Sequence, residues 1–402
     1  MQDQAFFKVF ATDASAASGL QDAFANIDPS AWNCAVDAAV LHQCAPLYRE
    51  RLSELGLLHC LPGEAQDRLA QIVRKTALSN LQGLHQLHEL MTRLQERTPL
   101  LVLKGGYLAR ACYRDISLRP MRDLDVLARP GDVAMIGEVI RGLGYAQDRR
   151  FEEAWSQLHQ EPAFMKRGAL PVELHRRLLD NETVFGIDYD GLWARAVPAK
   201  DIPGLLYMAP EDQLIHLCLH AGYSHGLDIG LYAFNDIAMM VATSGLSWPL
   251  LVERAQEWRA ERCVFLTLRM AQVLVGATVP AEVTAALRPA DFSADVLDRA
   301  VAAVQHKLAE GYVPASLLAQ FVVMICDRER RRALPAKVKR YLLLKREERQ
   351  TWKNSPHEMN WYRQLEPLLK GVLGLVTSRA QRDQFRARLN GARLRRWMEP
   401  TR

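Results

Sequence analysis

The chain has 402 residues, 49% of them hydrophobic and 24% charged, with a formal net charge of +5. This balance excludes an intrinsically disordered polypeptide and supplies apolar surface for two or three folded domains. No apolar run approaches the roughly eighteen residues needed to cross a bilayer, the longest lying around Leu317–Cys326, so no membrane partner is expected.

The first residues carry acids and amides where a secretory leader has a basic start and an apolar middle. Seven cysteines, at positions 34, 44, 60, 112, 218, 263 and 326, include no CxxC pair and leave an odd count, which points to a reducing, cytoplasmic compartment. Residues 1–97 read as an N-terminal helical segment: the stretch 30–97 is rich in Ala, Leu, Gln and Arg, and Leu69, Ile72, Val73 and Leu78 fall at helical spacing, consistent with two or three helices.

A core over 98–200 follows. Pro99–Leu103 is a short apolar run, a strand that stops at Lys104-Gly105-Gly106, and Tyr107–Cys112 has helix-forming composition. Glycines at such a turn let the backbone approach an anion closely, and the N–H groups opening the helix point at it. Sixteen residues further on, Asp123-Leu124-Asp125-Val126 heads a second strand. Residues two apart on a strand project the same way, so both carboxylates reach one spot. Crowded acids repel unless a cation lies between them, and a Mg²⁺ site is the economical reading. Gly131–Gly142 reads as a helix and Ala163–Met165 as a strand before the turn at Lys166–Gly168. Leu170–His175 then alternates, with Glu173 and His175 on one face and Val172 and Leu174 on the other, which makes Glu173 the candidate third acid.

Asp201–Gly204, with its proline and glycine, reads as a hinge into a C-terminal helical domain over 201–402. Pro210-Glu211-Asp212 is a helix start, and the helix carries His216 and His220 four apart, with Cys218 between them and His225 just beyond. That spacing suits a zinc ligand pair but lacks the Glu of a metalloprotease motif, so packing is the plainer role. Asp236, among Phe234, Ile237, Met239 and Met240, requires a partner, one of those histidines or an Arg or Lys. From Leu250 onward the pattern is helical. Asp327–Arg349 holds ten Arg and Lys against four acids, and the last twenty-five residues are also Arg-rich. Tyr341 is the one aromatic in the first stretch, so a solvated helix face is favoured over a nucleic-acid surface. The fold class expected is α+β, a small mixed β-sheet core between N-terminal helices and a C-terminal all-helical region.

The series Leu103-Lys104-Gly105, Arg119, Asp123-Leu124-Asp125-Val126-Leu127 and Val172-Glu173-Leu174-His175 resembles the DNA polymerase beta-like nucleotidyltransferase superfamily, within it a branch of largely uncharacterised bacterial members. The resemblance covers roughly residues 98 to 180, more weakly 210 to 236, and departs from the usual pattern in its longer spacer and in having Glu as third acid. It implies that Asp123 and Asp125 bind Mg²⁺ bridging the triphosphate of an NTP, most plausibly ATP, while Gly105 and Gly106 donate backbone hydrogen bonds. Glu173 completes a second metal site or serves as base. An acceptor hydroxyl attacks the α-phosphorus and pyrophosphate leaves. Lys104, Arg119 and Arg122 are the cations near the motif available to the β- and γ-phosphates; alternatively, the two arginines pair with acids and Lys104 caps the strand end. His216 and His220 then pack the helix or line the acceptor pocket. Three readings follow: transfer to a small molecule or carrier, transfer to a protein or RNA as in toxin and antitoxin pairs, or a noncatalytic binding module. A closed pocket roofed by residues 210–240 favours the first, an open basic trough the second, and acids that fail to converge the third.

Overall fold

A computed structural model describes residues 6–7, 9–10, 28–95, 98–147, 159–179, 182–309 and 390–400. Three helices precede the first strand: α1 (Pro29–Leu41), α2 (Ala45–Glu54) and α3 (Gly63–Leu94). At the start of α1 the Asp28 carboxylate accepts the Ser30 N–H at 2.7 Å, and proline occupies the first turn, where its missing donor costs nothing. The 32-residue α3 buries Leu69, Leu87, Leu90, Met91 and Leu94, a stripe at helical spacing that faces the rest of the protein.

The sheet comprises β1 (Leu100–Val102), β2 (Leu124–Leu127), β3 (Val172–His175), β4 (Val197–Pro198) and β5 (Leu205–Tyr207), ordered β3-β2-β1-β5-β4. β1 runs antiparallel to β2 and parallel to β5, β2 is parallel to β3, and β4 closes antiparallel on β5. All three residues of β1 are buried, which explains its unbroken apolar run. Helix α4 (Lys104–Ala111) follows β1, α5 (Val133–Gly142) follows β2, and α6 (Tyr189–Ala194) precedes β4. Of the strand expected at Ala163–Met165, Phe164 and Met165 form isolated bridges to Val172 and Ala146.

α3 meets one face of the sheet at Gly83. A Cβ there would come within 2.8 Å of the Leu170 side chain and 3.3 Å of that of Leu124, so a larger residue would have to push these side chains back. Two buried amides flank it. Asn80 donates to the carbonyls of Ile116 and Arg119 at 2.6 and 2.8 Å and accepts the Met121 N–H at 3.0 Å. Gln86 donates to the Leu170 carbonyl at 2.9 Å and accepts the Leu170 N–H at 3.0 Å. The two segments that lead into β2 and β3 are thus fastened to one rigid helix.

Beyond the sheet the described residues are mainly helical: α7 (Pro210–Leu219), a π-helical turn over His220–Ser224, α8 (Tyr232–Thr243), α9 (Trp248–Glu257), α10 (Glu261–Val275), α11 (Ala281–Leu287), α12 (Ala294–Ala309) and a helix over 390–398. Asp212, wholly buried in the first turn of α7, is held by Arg195 at 3.1 Å and Arg254 at 2.5 Å. His42, just past α1, accepts the Leu231 N–H at 2.8 Å and so ties the N-terminal helices to the start of α8. The architecture is the expected α+β class. No described helix is long and apolar enough to cross a membrane, and the six described cysteines are free. The basic stretch 327–349, the apolar run 317–326 and Cys326 lie outside the described residues; of the Arg-rich end, Arg395 donates to the Ser224 carbonyl at 2.7 Å.

Candidate active site

The register of β2 on β3 sets Asp125 beside Glu173. Leu124 packs toward α3, so by strand alternation Asp123 and Asp125 project to the other face. Asp125, 2% exposed, is the hub: its Oδ1 accepts from Lys104 Nζ at 2.8 Å and from His175 Nε2 at 2.8 Å. Glu173 Oε2 lies 3.8 Å from the same imidazole nitrogen, and one donor atom from each of Asp125, Glu173 and His175 falls within 4.8 Å of the others. Asp123 adds a further carboxylate whose charge interacts with that of Asp125, although it is not among the donor atoms within 4.8 Å of one another. The structure therefore brings Lys104, Asp123, Asp125 and Glu173 together.

His175 shares the face of Glu173, as the alternation indicated, but had no assigned role in the sequence. Facing a carboxylate, its Nε2 carries the proton, which leaves a buried Nδ1 with no hydrogen-bond partner among the described residues. An imidazole that ligates a metal normally passes its other N–H to a second acceptor. His175 fits better as the group that orients Asp125 than as a ligand.

The charges are unequal. Burial alone would raise Asp125, but Lys104 and His175 outweigh it and hold the carboxyl well below the ordinary range. Burial, then the negative charge of Asp125, pushes Asp123 up to about 6 and Glu173 up to about 7. Burial works against the Lys104 ammonium, yet its attraction to Asp125, and further to Asp123 and Glu173, keeps it charged. Burial pushes His175 down to about 4, so it stays neutral. One ammonium thus leaves surplus negative charge among the acids, and their hard oxygen donors fit a divalent cation.

Gly105 and Gly106 sit in the first turn of α4, which has no side-chain cap. Both are buried: a Cβ on Gly106 would come within 2.5 Å of Val102 and one on Gly105 within 2.8 Å of the Arg119 guanidinium. Arg119 lies across the turn, paired with Asp236 at 2.8 Å and stacked 5.1 Å from the Tyr232 ring centre. Tyr113 also donates to Asp236, at 2.8 Å. Asp236 thus has the cationic partner its apolar neighbours called for. Arg122 is exposed beside the cluster.

From the helical region, His216 comes within electrostatic reach of Lys104, His175 and Asp125, and Tyr232 within reach of Lys104 and Asp123. His216 is fully buried, and neither ring nitrogen has a hydrogen-bond partner among the described residues. Burial, reinforced by Lys104, pushes it down to about 3. His216 and His220 have ring centres 6.1 Å apart, and among the described residues the metal-competent cluster is Asp125, Glu173 and His175.

A small mixed sheet, a glycine-opened helix after its central strand and acids on the adjacent strands β2 and β3 are the features of a nucleotidyltransferase. The chain belongs to the family of uncharacterised nucleotidyltransferases, whose model matches residues 28–276. The matched span takes in α1 to α3 as well as the sheet and runs through α10, in keeping with the way Asn80 and Gln86 fasten the acid strands. No curated protein and no solved structure matches the chain.

Proposed function

We propose that the protein transfers a nucleoside monophosphate from an NTP, with ATP the favoured donor, to a hydroxyl of a small molecule or carrier, releasing pyrophosphate. The observation that carries this reading is the meeting of Asp125 with Glu173 and Asp123 beside the Lys104-Gly105-Gly106 turn, in a chain of a nucleotidyltransferase family. It extends the family to the DNA polymerase beta-like superfamily on the order of its motifs. Asp123, Asp125 and Glu173 would hold Mg²⁺, which when bound supplies charge neutralisation at the triphosphate.

The protein's own groups divide the remaining work. The N–H groups opening α4 face an anion favourably, and Lys104 and the exposed Arg122 offer cations to the β- and γ-phosphates. Arg119 serves chiefly by holding the turn, because Asp236 already occupies its guanidinium. Glu173, 25% exposed, either completes the Mg²⁺ ligand set or, left unligated, accepts the proton of the acceptor hydroxyl as its oxygen bonds to the α-phosphorus. The bond to the β-phosphate breaks and pyrophosphate departs with the electron pair. His216 and Tyr232 lie within electrostatic reach of the acids from the helical region, and groups bearing on the site from that side support a small acceptor over a polymer.

The test is incubation of the full-length protein with each radiolabelled NTP, Mg²⁺ and a cell extract, then location of the label. Label in a small metabolite, absent with Asp125→Asn, supports the proposal. Label in protein or RNA moves the acceptor to a macromolecule, and failure to bind any NTP with Mg²⁺ sinks the enzymatic reading.

A further inference from the structure

We propose that the Lys104 ammonium and a divalent cation are alternative counter-ions for Asp125, so that loading the site displaces Lys104 toward the phosphates of the nucleotide. The inference rests on the nucleotide-transfer reading and deepens it, making the lysine a built-in competitor for the cation.

Three observations support the exchange. First, Asp125 Oδ1 is already shared by two donors, Lys104 and His175, each at 2.8 Å. An ammonium and a dication on one carboxylate would stand roughly 4 Å apart and repel each other. Second, the two donors differ in freedom. His175 lies in β3 and is 1% exposed, whereas Lys104 is 15% exposed and reaches Asp125 on a flexible four-carbon stem. Lys104 is the one that can leave. Third, Lys104 starts from a left-handed backbone conformation, φ 44°, which a non-glycine residue adopts only where its surroundings enforce it. That conformation heads α4 and puts the root of the side chain at the helix start, where a phosphate is favoured, while its tip reaches the acids. A modest swing about the side-chain torsions serves both partners.

Mn²⁺, counted by its free-ion EPR signal, is the probe, titrated into full-length wild type, Lys104→Asn and Lys104→Gly without nucleotide at pH 8. Both replacements remove the ammonium and tolerate a positive φ, so the fold has two chances to survive, checked by circular dichroism. The expected result is Mn²⁺ binding at least tenfold tighter in the variants than in wild type. With a non-hydrolysable ATP analogue present, the gap shrinks below threefold and the variants bind the analogue more weakly. Equal or weaker Mn²⁺ affinity in folded variants, with wild type binding normally, overturns the exchange and leaves the transfer reading intact. If neither wild type nor variants take up Mn²⁺, with or without the analogue, the transfer reading fails and the exchange with it.

Discussion

Arg119, between α4 and β2, and Asp236, on α8, form an ion pair 2.8 Å across with 11% and 2% of their side chains exposed. This pair joins the sheet to the helical region behind it, and the Tyr113 hydroxyl donates to the same carboxylate. Asp236→Ala would leave the guanidinium charged and buried over Gly105. The expected loss is about 3–5 kcal/mol, measured by urea unfolding. A loss below about 1 kcal/mol would show that water solvates the pair.

The two aspartates separate in stability as well as activity. Asp123 carries its charge against burial and the neighbouring Asp125, so Asp123→Asn should leave the melting temperature unchanged or higher. Asp125 is what Lys104 and His175 donate to, so Asp125→Asn should lower stability by roughly 1–3 kcal/mol. Both should abolish cation-dependent pyrophosphate release. The chain pattern, with two acids crowding one strand face, gives equal relief for either change, and the structure separates them. Equal melting shifts for the two variants would contradict the hub role of Asp125.

Cation binding should release protons in a defined window. Glu173, up to about 7, and Asp123, up to about 6, hold protons at pH 6 that an ordinary exposed carboxylate has already lost. Their raised values mean that the folded, cation-free state bears the cost of both charges above about pH 7, a cost relieved as pH falls toward the unfolded values of 4.5 and 3.8. Calorimetric titration with Mg²⁺ in buffers of differing ionisation enthalpy should therefore record proton release at pH 6 and almost none at pH 8.5, with affinity rising between. Glu173→Gln should remove most of the release at pH 7. Proton uptake on binding would contradict this account.

Asn80 is remote from the acids in sequence but sets their approach. Asn80→Ala strands the carbonyls of Ile116 and Arg119 and the Met121 N–H, at an expected cost of roughly 2–4 kcal/mol by chemical denaturation. Because these bonds fix the segment entering β2, the folded variant should also show weaker Mg²⁺ binding. Full cation affinity would confine Asn80 to stability.

The legible part of the molecule was local. Pro99–Leu103, the glycines and Leu170–His175 each declare themselves within about a dozen residues; β2 and β3 form where periodicity placed them, while α4 begins three residues earlier than expected and takes in Lys104-Gly105-Gly106. Relationships across the sheet were hidden. Lys104 read as a strand-end cap or phosphate ligand, because its bond to Asp125 exists only once β1 and β2 pair antiparallel. Asp236 demanded a partner, yet only packing could choose Arg119, 117 residues away, over His216 and His220. Asn80 and Gln86 passed unnoticed, since a polar residue in a long amphipathic helix ordinarily faces water. β5, three residues long and directly after the Asp201–Gly204 segment that reads as a hinge, was too short to announce itself as a strand.

The parallel pairing of β5 with β1 limits how this protein can be dissected. A fragment stopping at residue 200 would strip β1 of a neighbour and expose the backbone edge of an apolar central strand, an invitation to self-association. Any shortened version meant for spectroscopy must run past Tyr207 and retain α3, even though neither segment contributes a carboxylate to the cluster.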